Sequence, residues 1–351
     1  MATFCGSRYN NNELVNDKGI VMNQPKMTDV AKKAGVSPTT VSRVINRRGY
    51  LSTKTINKVE AAMRELNYRP NMVARQLQSQ RTMTIGILVP TVANPFFGEL
   101  TYKLERDFFN AGFKVLIGNA ENDVEKERLY LQQLLARQVD GLVIATHNHQ
   151  QQIPEYQNAN LPIVSIDRYL RASIPNVSSD NYAGGRLATE ELIARGAKHI
   201  IHTDSVERFN KRDYLRQQAY QDVMNEHGLT PVTYKIDFGS QPELMRQFFN
   251  RILDEHPEAD GFFASNDMDA IQLLQTARQR EIRVPEDLQV IGYDGVPTTT
   301  RIVPELSTIV QPLDEMAKVA VDILQREING ERVTGSHNLP VRLRASASLK
   351  Q

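Results

Sequence analysis

Beyond residue 82 the chain alternates short apolar runs with amphipathic stretches, and that alternation leaves few folds open. TIGILVP, FKVLIGN, DGLVIAT, LPIVSID, KHIIHTD, TYKIDF, DGFFAS and LQVIGYD follow one another in this way. Near-continuous Ile, Val and Leu within a strand calls for burial on both faces, as in a parallel sheet covered by helices on each side. Residues 82–351 are many for one such sheet, so two doubly wound parallel-sheet lobes are expected there. Open α/β sheets bind ligands beyond the carboxyl ends of their strands. Polar residues gather at those ends: Asn94 after ILVP, Asn119 after VLIG, His147 and Asn148 after LVIAT, Asp167 and Arg168 after IVSI, Asn266 and Asp267 after FFAS, and Asp294 after VIGY.

The front of the chain follows a different pattern. Residues 26–81 carry twelve Lys or Arg against three Asp or Glu, so a net charge of +1 for the whole chain conceals a basic unit joined to an acidic one. Such a concentration of positive charge suits a polyanion, because each phosphate contact releases condensed counterions. The run TDVAKKAGV predicts a helix with Thr28 as N-cap, Val30, Ala31 and Ala34 on one face and Gly35 as the stop. Ser37 and Pro38 then open a second helix, with Val41, Val44 and Ile45 inward and Thr39, Thr40, Ser42 and Arg43 outward. A third, TKTINKVEAAMRELNY, places Ile56, Val59, Ala62, Met63 and Leu66 inward. Two helices on a tight glycine turn, backed by a third, form a helix-turn-helix, an all-α DNA-binding domain expected over residues 26–70. The following segment, residues 71–81, has too few apolar residues for a core of its own and reads as a linker that becomes helical on contact.

Residues 1–25 are rich in Asn and Gly without an apolar period, so no regular structure is expected of this extension. Met22 opens MNQPKMTDVA and is a second candidate start. Cys5 is the only cysteine, which excludes an internal disulfide and suits a reducing compartment. No run of 18 apolar residues and no signal peptide is visible, so the expectation is a cytoplasmic protein without a membrane partner. The histidines show no metal-ligand spacing, and nothing points to a cofactor. An enzyme is the principal rival, since Asp167 and Asp294 on one cleft could act as a glycosidase pair. Against it, the chain has no nucleophile elbow, P-loop or dinucleotide fingerprint, and hydrolysis has no use for a DNA-reading unit. A transporter's sugar-binding protein would need an export signal and no helix-turn-helix. Each Asp could instead cap a helix or hold a loop, and Phe96 and Phe97 could be core.

The strings TDVAKKAGVSPTTVSRVINRRGYLSTKT, KVEAAMRELNYRPN and MVARQL resemble the DNA-binding region of the lactose-repressor family of bacterial transcription regulators. IGILVPTVANPFF, IDRYL, VSSDNYAGG, ASNDMDA, VIGYDG and LSTIVQP resemble its periplasmic-binding-protein-like core. Within the family the sucrose-operon branch is nearest, through SPTTVSRVIN, GYLSTKT, THN and IPNVSSDN, with the ribose-operon branch next. The resemblance implies a homodimeric repressor on palindromic double-stranded operator DNA, released by a sugar or sugar phosphate. A catabolite-control regulator with a phosphoprotein corepressor is the further alternative. Pro38, Thr39, Thr40, Ser42 and Arg43 would meet bases or phosphates, with Arg43 able to grip guanine O6 and N7. Asn46 and Tyr68 would meet phosphates, and Leu77 would wedge into a minor-groove step. Thr28, Ser37, Asn71 and Ala74 complete the expected DNA-facing set. The implied sugar site comprises Asn94, Phe96, Phe97, His147, Asp167, Arg168, Arg216, Asn266, Tyr293, Asp294 and Gln311. Amides, carboxylates and guanidinium groups would satisfy hydroxyls while an aromatic ring covers an apolar sugar face. Pro38 and Thr39 stand where larger polar residues often occur in the family, which leaves the operator sequence open.

Overall fold

The computed structural model describes residues 14–15, 21–22, 25–46, 49–69, 81–136, 138–146, 153–156, 160–205, 214–236 and 241–351. The chain divides into two compact units, Met1–Gln80 and Arg81–Gln351. In the first, β1 (Leu14–Val15) pairs antiparallel with β2 (Val21–Met22), a short ladder that the composition of the extension did not suggest.

Three helices follow: α1 (Met27–Ala34), α2 (Pro38–Ile45) and α3 (Thr53–Glu65). Thr28 is not the N-cap expected of it. Helix α1 begins two residues earlier than that cap would place it, with Lys26 at the cap position and its backbone N–H donated to Asp29 Oδ2 at 2.7 Å. A carboxylate three residues on satisfies an orphan donor that a hydroxyl at position 28 cannot reach. Gly35 ends the helix at φ 65°, in the left-handed region where a Cβ is costly. Ser37 caps α2 as expected, its Oγ accepting from the Thr40 N–H at 3.1 Å. Helix α3 stops at Glu65, short of the periodic run, with Asn67 turned to φ 48°. Val30, Ala31, Ala34, Val41, Val59 and Ala62 form the small core, with Val44, Ile45, Met63, Leu66 and Tyr68 packed against it.

The second unit contains two lobes with strongly similar plans. The first-lobe sheet runs β13-β7-β6-β5-β3-β4, where β3 is Thr84–Val89, β4 Lys114–Asn119, β5 Gly141–Ile144, β6 Ile163–Ile166, β7 Asn176–Ser179 and β13 Ser336–Leu339. All its pairings are parallel. The second-lobe sheet runs β14-β12-β11-β10-β8-β9, where β8 is Ile200–Ser205, β9 Val232–Ile236, β10 Gly261–Phe263, β11 Gln289–Asp294, β12 Ser307–Val310 and β14 Arg342–Arg344. Only the edge strand β14 is antiparallel.

Helices α4 (Pro95–Asn110), α5 (Val124–Leu135) and α11 (Leu313–Ile328) serve the first lobe. Helices α6 (Asn181–Ala194), α7 (Leu215–Glu226), α8 (Pro242–Glu255), α9 (Asp267–Gln279) and α10 (Pro297–Ile302) belong to the second. The chain therefore crosses between lobes after β7, after β12 and after β13. Strands β7 (NVSS) and β12 (STIV) end at these crossings, so their last residues face the space between the lobes. Each sheet is backed by an apolar core, Phe96, Leu104, Phe108, Val164 and Met316 in the first lobe and Phe249, Ile252, Phe262 and Val290 in the second. Each such side chain contributes about 1.5–3 kcal/mol by burial.

Candidate functional site

The two units each carry a candidate surface. On α2, Ser37 Oγ and Thr40 Oγ1 lie 2.9 Å apart, and Asn46 Nδ2 donates to Ser42 Oγ at 3.3 Å, so these four side chains partner one another. Pro38, Thr39 and Arg43 are exposed on the same helix. The Arg43 guanidinium donates to the Tyr50 carbonyl at 3.3 Å, which folds it back over the turn. Tyr68 is half-buried on the helical core, and burial pushes its hydroxyl pKa up. Asn71, Ala74 and Leu77 lie outside the described residues.

Within the second unit, strand register dictates which carboxyl ends meet. Ile166 pairs with Val177, so Asp167 stands just past β6 beside Ser178, and Asp294 pairs with Val310, so Gln311 stands just past β12 beside it. Asp167 accepts hydrogen bonds from Ser178 Oγ (2.8 Å) and Asn181 Nδ2 (2.9 Å). Arg216, from the first turn of α7, donates Nε to Asn181 Oδ1 (2.6 Å) and Nη1 to the Ser265 carbonyl (3.0 Å). Its Nη2 lies 3.8 Å from Asp167 Oδ2, joining the two lobes electrostatically. Gln311 accepts from Ser179 Oγ and donates Nε2 to Asp294 Oδ1, both at 2.7 Å. Asp167 and Asp294 adopt φ 51° and 109°, conformations that cost a non-glycine residue energy and concentrate at functional sites. Two close approaches need glycine: a Cβ at Gly185 would come within 2.7 Å of the Arg216 carbonyl, and one at Gly184 would overlap the Tyr293 hydroxyl.

Burial and the nearby Asp267 carboxylate push the Asp294 carboxyl well above the usual range, against the pull of Arg216. Asp267 is itself pushed up to about 6 by burial, although Thr308, Thr299 and the Gly295 N–H donate to it. Burial likewise raises Asp269 to about 6. Ser265 Oγ and Asn266 Nδ2 both donate to Asp269 Oδ2, so an amide oxygen could take its place. A carboxyl whose folded pKa exceeds its unfolded value costs stability as pH rises through that interval, here from about 4 to about 6. Asp269→Asn is expected to stabilise the core by about 1–3 kcal/mol at pH 8 and by nothing at pH 4. Calorimetric unfolding at the two pH values checks this, and an equal difference at both would contradict it.

The expected sugar-site residues do not all converge. Asp167, Arg216, Asp294 and Gln311 do. Tyr293 is fully buried with its ring 3.5 Å from the Arg216 guanidinium carbon, so it supports that cation and offers no face to a sugar. Arg168 turns away from Asp167. Its Nη1 donates to buried Glu127 and to the Thr146 carbonyl, both at 3.0 Å, beside the Tyr156 ring. Phe96 and Phe97 pack edge to face at 5.0 Å in the first-lobe core, where apolar burial outweighs any exposed role. Asn94 and Asn266 cap α4 and α9, accepting from the Phe96 and Asp269 N–H groups. His147 and Asn148 lie outside the described residues. The structure adds Ser178, Ser179 and Asn181, which the sequence reading does not select even though VSSDN is conspicuous, and it places Asp267, one of the strand-end polar residues, next to Asp294.

Residues 26–71 match the bacterial regulatory proteins of the lacI family, and residues 189–348 match a periplasmic binding protein-like domain. A sucrose operon repressor of Pediococcus pentosaceus is 43% identical over 91% of this chain and 98% of its own length. The chain belongs to the lacI family. This lacI-family chain is also 36% identical to a ribose operon repressor of Halalkalibacterium halodurans, over 90% of the chain and 94% of that relative. Among solved structures it is similar to a lac repressor dimer bound to operator and an anti-inducer, with TM-score 0.81, 28% identity and coverage of 93% and 99%. These relatives are named as repressors, not enzymes. Among the described residues no helix is long and apolar enough to cross a membrane.

Proposed function

We propose that this lacI-family protein is a sugar-responsive repressor controlling sucrose-utilisation genes. The observation that carries the reading is one chain holding both a basic helix-turn-helix and an interlobe cluster of Asp167, Arg216, Asp294 and Gln311, with a sucrose operon repressor 43% identical along it. A homodimer places two α2 helices about one helical turn apart on a palindromic operator. Exposed Tyr102, Phe109, Leu116 and Ile117, on α4 and the edge strand β4, supply apolar surface for that association. The hinge role falls to residues 71–81, of which 71–80 lie outside the described residues. A sugar between Asp167 of the first lobe and Arg216, Asp294 and Gln311 of the second draws the lobes together and removes the geometry the hinge needs. Such coupling amounts to about 1–3 kcal/mol, or roughly 5- to 150-fold in operator affinity. The protein works in the cytoplasm, where operator and sugar meet. Control by ribose is the second reading, favoured by the 36% identical ribose operon repressor.

Asp294→Ala is expected to bind operator normally and to ignore the sugar. Fluorescence anisotropy of a labelled operator, with and without sucrose or ribose, tests this, and normal release of the variant would remove Asp294 from the site. Leu77→Ala is expected to weaken specific operator binding roughly 10-fold or more, as loss of a minor-groove wedge does, while sparing sugar affinity. Equal losses in both would contradict a hinge role.

A further inference from the structure

This inference rests on the sugar-sensing reading and narrows it: we propose that the effector is an uncharged sugar and not its phosphate ester. Among the described residues of the interlobe cluster, Arg216 is the only cation, and its charge is already shared among acids. Asp167, Asp294 and Asp204 all act on it electrostatically. Its Nε and Nη1 are committed to Asn181 and the Ser265 carbonyl, and its face lies against Tyr293. What remains of the fork can serve one or two hydroxyls.

Among the described residues, cations on neighbouring elements are committed elsewhere. Arg168 is drawn to Glu127 and Thr146, and Lys235 to Asp204 (3.1 Å) and Gln217 (2.7 Å). A helix amino terminus is the usual seat for a phosphate where side-chain cations are lacking. Helix α9 opens toward this cluster, but Asp267 and Asp269 already fill its first turn. A phosphate ester brings about 1.5–2 negative charges. Placed here it would face Asp167 and Asp294 with no uncommitted cation among the described residues, and buried like charges repel strongly. Hydroxyls, by contrast, both donate and accept. Burial drives the Asp294 carboxyl toward its protonated form, which also does both.

Isothermal titration calorimetry of the full-length protein with sucrose and sucrose 6-phosphate, fructose and fructose 6-phosphate, and ribose and ribose 5-phosphate decides the matter. In whichever pair binds, the free sugar is expected to bind at least 10-fold more tightly, about 1.4 kcal/mol. A phosphate ester that binds as tightly or more tightly overturns the inference and leaves the sugar-sensing reading intact. Binding of no member of any pair, by protein that still binds operator, overturns the inference and the sugar-sensing reading together.

Discussion

Arg216→Lys should leave operator affinity within about twofold of the unchanged protein and weaken sugar binding roughly 100-fold, as loss of about two charge-assisted hydrogen bonds does. The substitution keeps the positive charge but not the planar fork that reaches Asn181, the Ser265 carbonyl and Asp167 at once. Lysine is a poor replacement wherever several acceptors are held in one plane. It also cannot spread over the Tyr293 ring, which lies 3.5 Å beneath the guanidinium carbon. Calorimetric titration with the sugar gives the affinity, and a thermal melt establishes that the variant is folded. Unchanged sugar affinity in the folded variant would show that Arg216 is only a brace between the lobes.

Arg43→Ala is expected to lower specific operator affinity about 10- to 100-fold, the range for one bidentate contact with a base. Arg43 is exposed, and its guanidinium donates to the Tyr50 carbonyl at 3.3 Å. A thermal melt establishes that the variant is folded, so that lost affinity reports on DNA. Salt dependence separates the two modes of contact. A base-reading arginine loses discrimination at one operator position, whereas a phosphate-binding one weakens all sequences evenly and lowers the salt slope by about one. Unaltered operator binding would remove Arg43 from the interface.

Much of this architecture is legible in the residues, for reasons that also explain the gaps. The apolar strands announce themselves because a strand covered on both faces has no polar alternative. β7, β12, β13 and β14 do not, since NVSS, STIV, SHNL and RLR carry Ser, Asn, His and Arg within the strands themselves. β7 ends at an interlobe crossing, so the Ser178 and Ser179 that hide it as a strand are also residues that reach the site. Arg168 was expected beside Asp167 because adjacent residues after a strand look like a pair. Asp167 takes φ 51°, off the extended course of β6, and Glu127 on α5 captures the Arg168 guanidinium instead. Tyr293, next to Asp294, is likewise directed elsewhere, under Arg216. Thr28 looked like a cap by residue type, whereas the cap position went to Lys26 because Asp29 could reach its N–H.

The central claim is that a sugar bound in the interlobe cluster releases α2 from DNA. Fluorescence anisotropy of the full-length protein on a labelled palindromic operator from its own promoter region, at fixed salt, addresses it directly when titrated with sucrose, fructose, ribose and their phosphates. The account predicts tight binding to the operator, release by sucrose or a sucrose-derived sugar, and no release from the Asp294→Ala variant. Failure to bind operator, or tight binding that none of these sugars relieves, would contradict it.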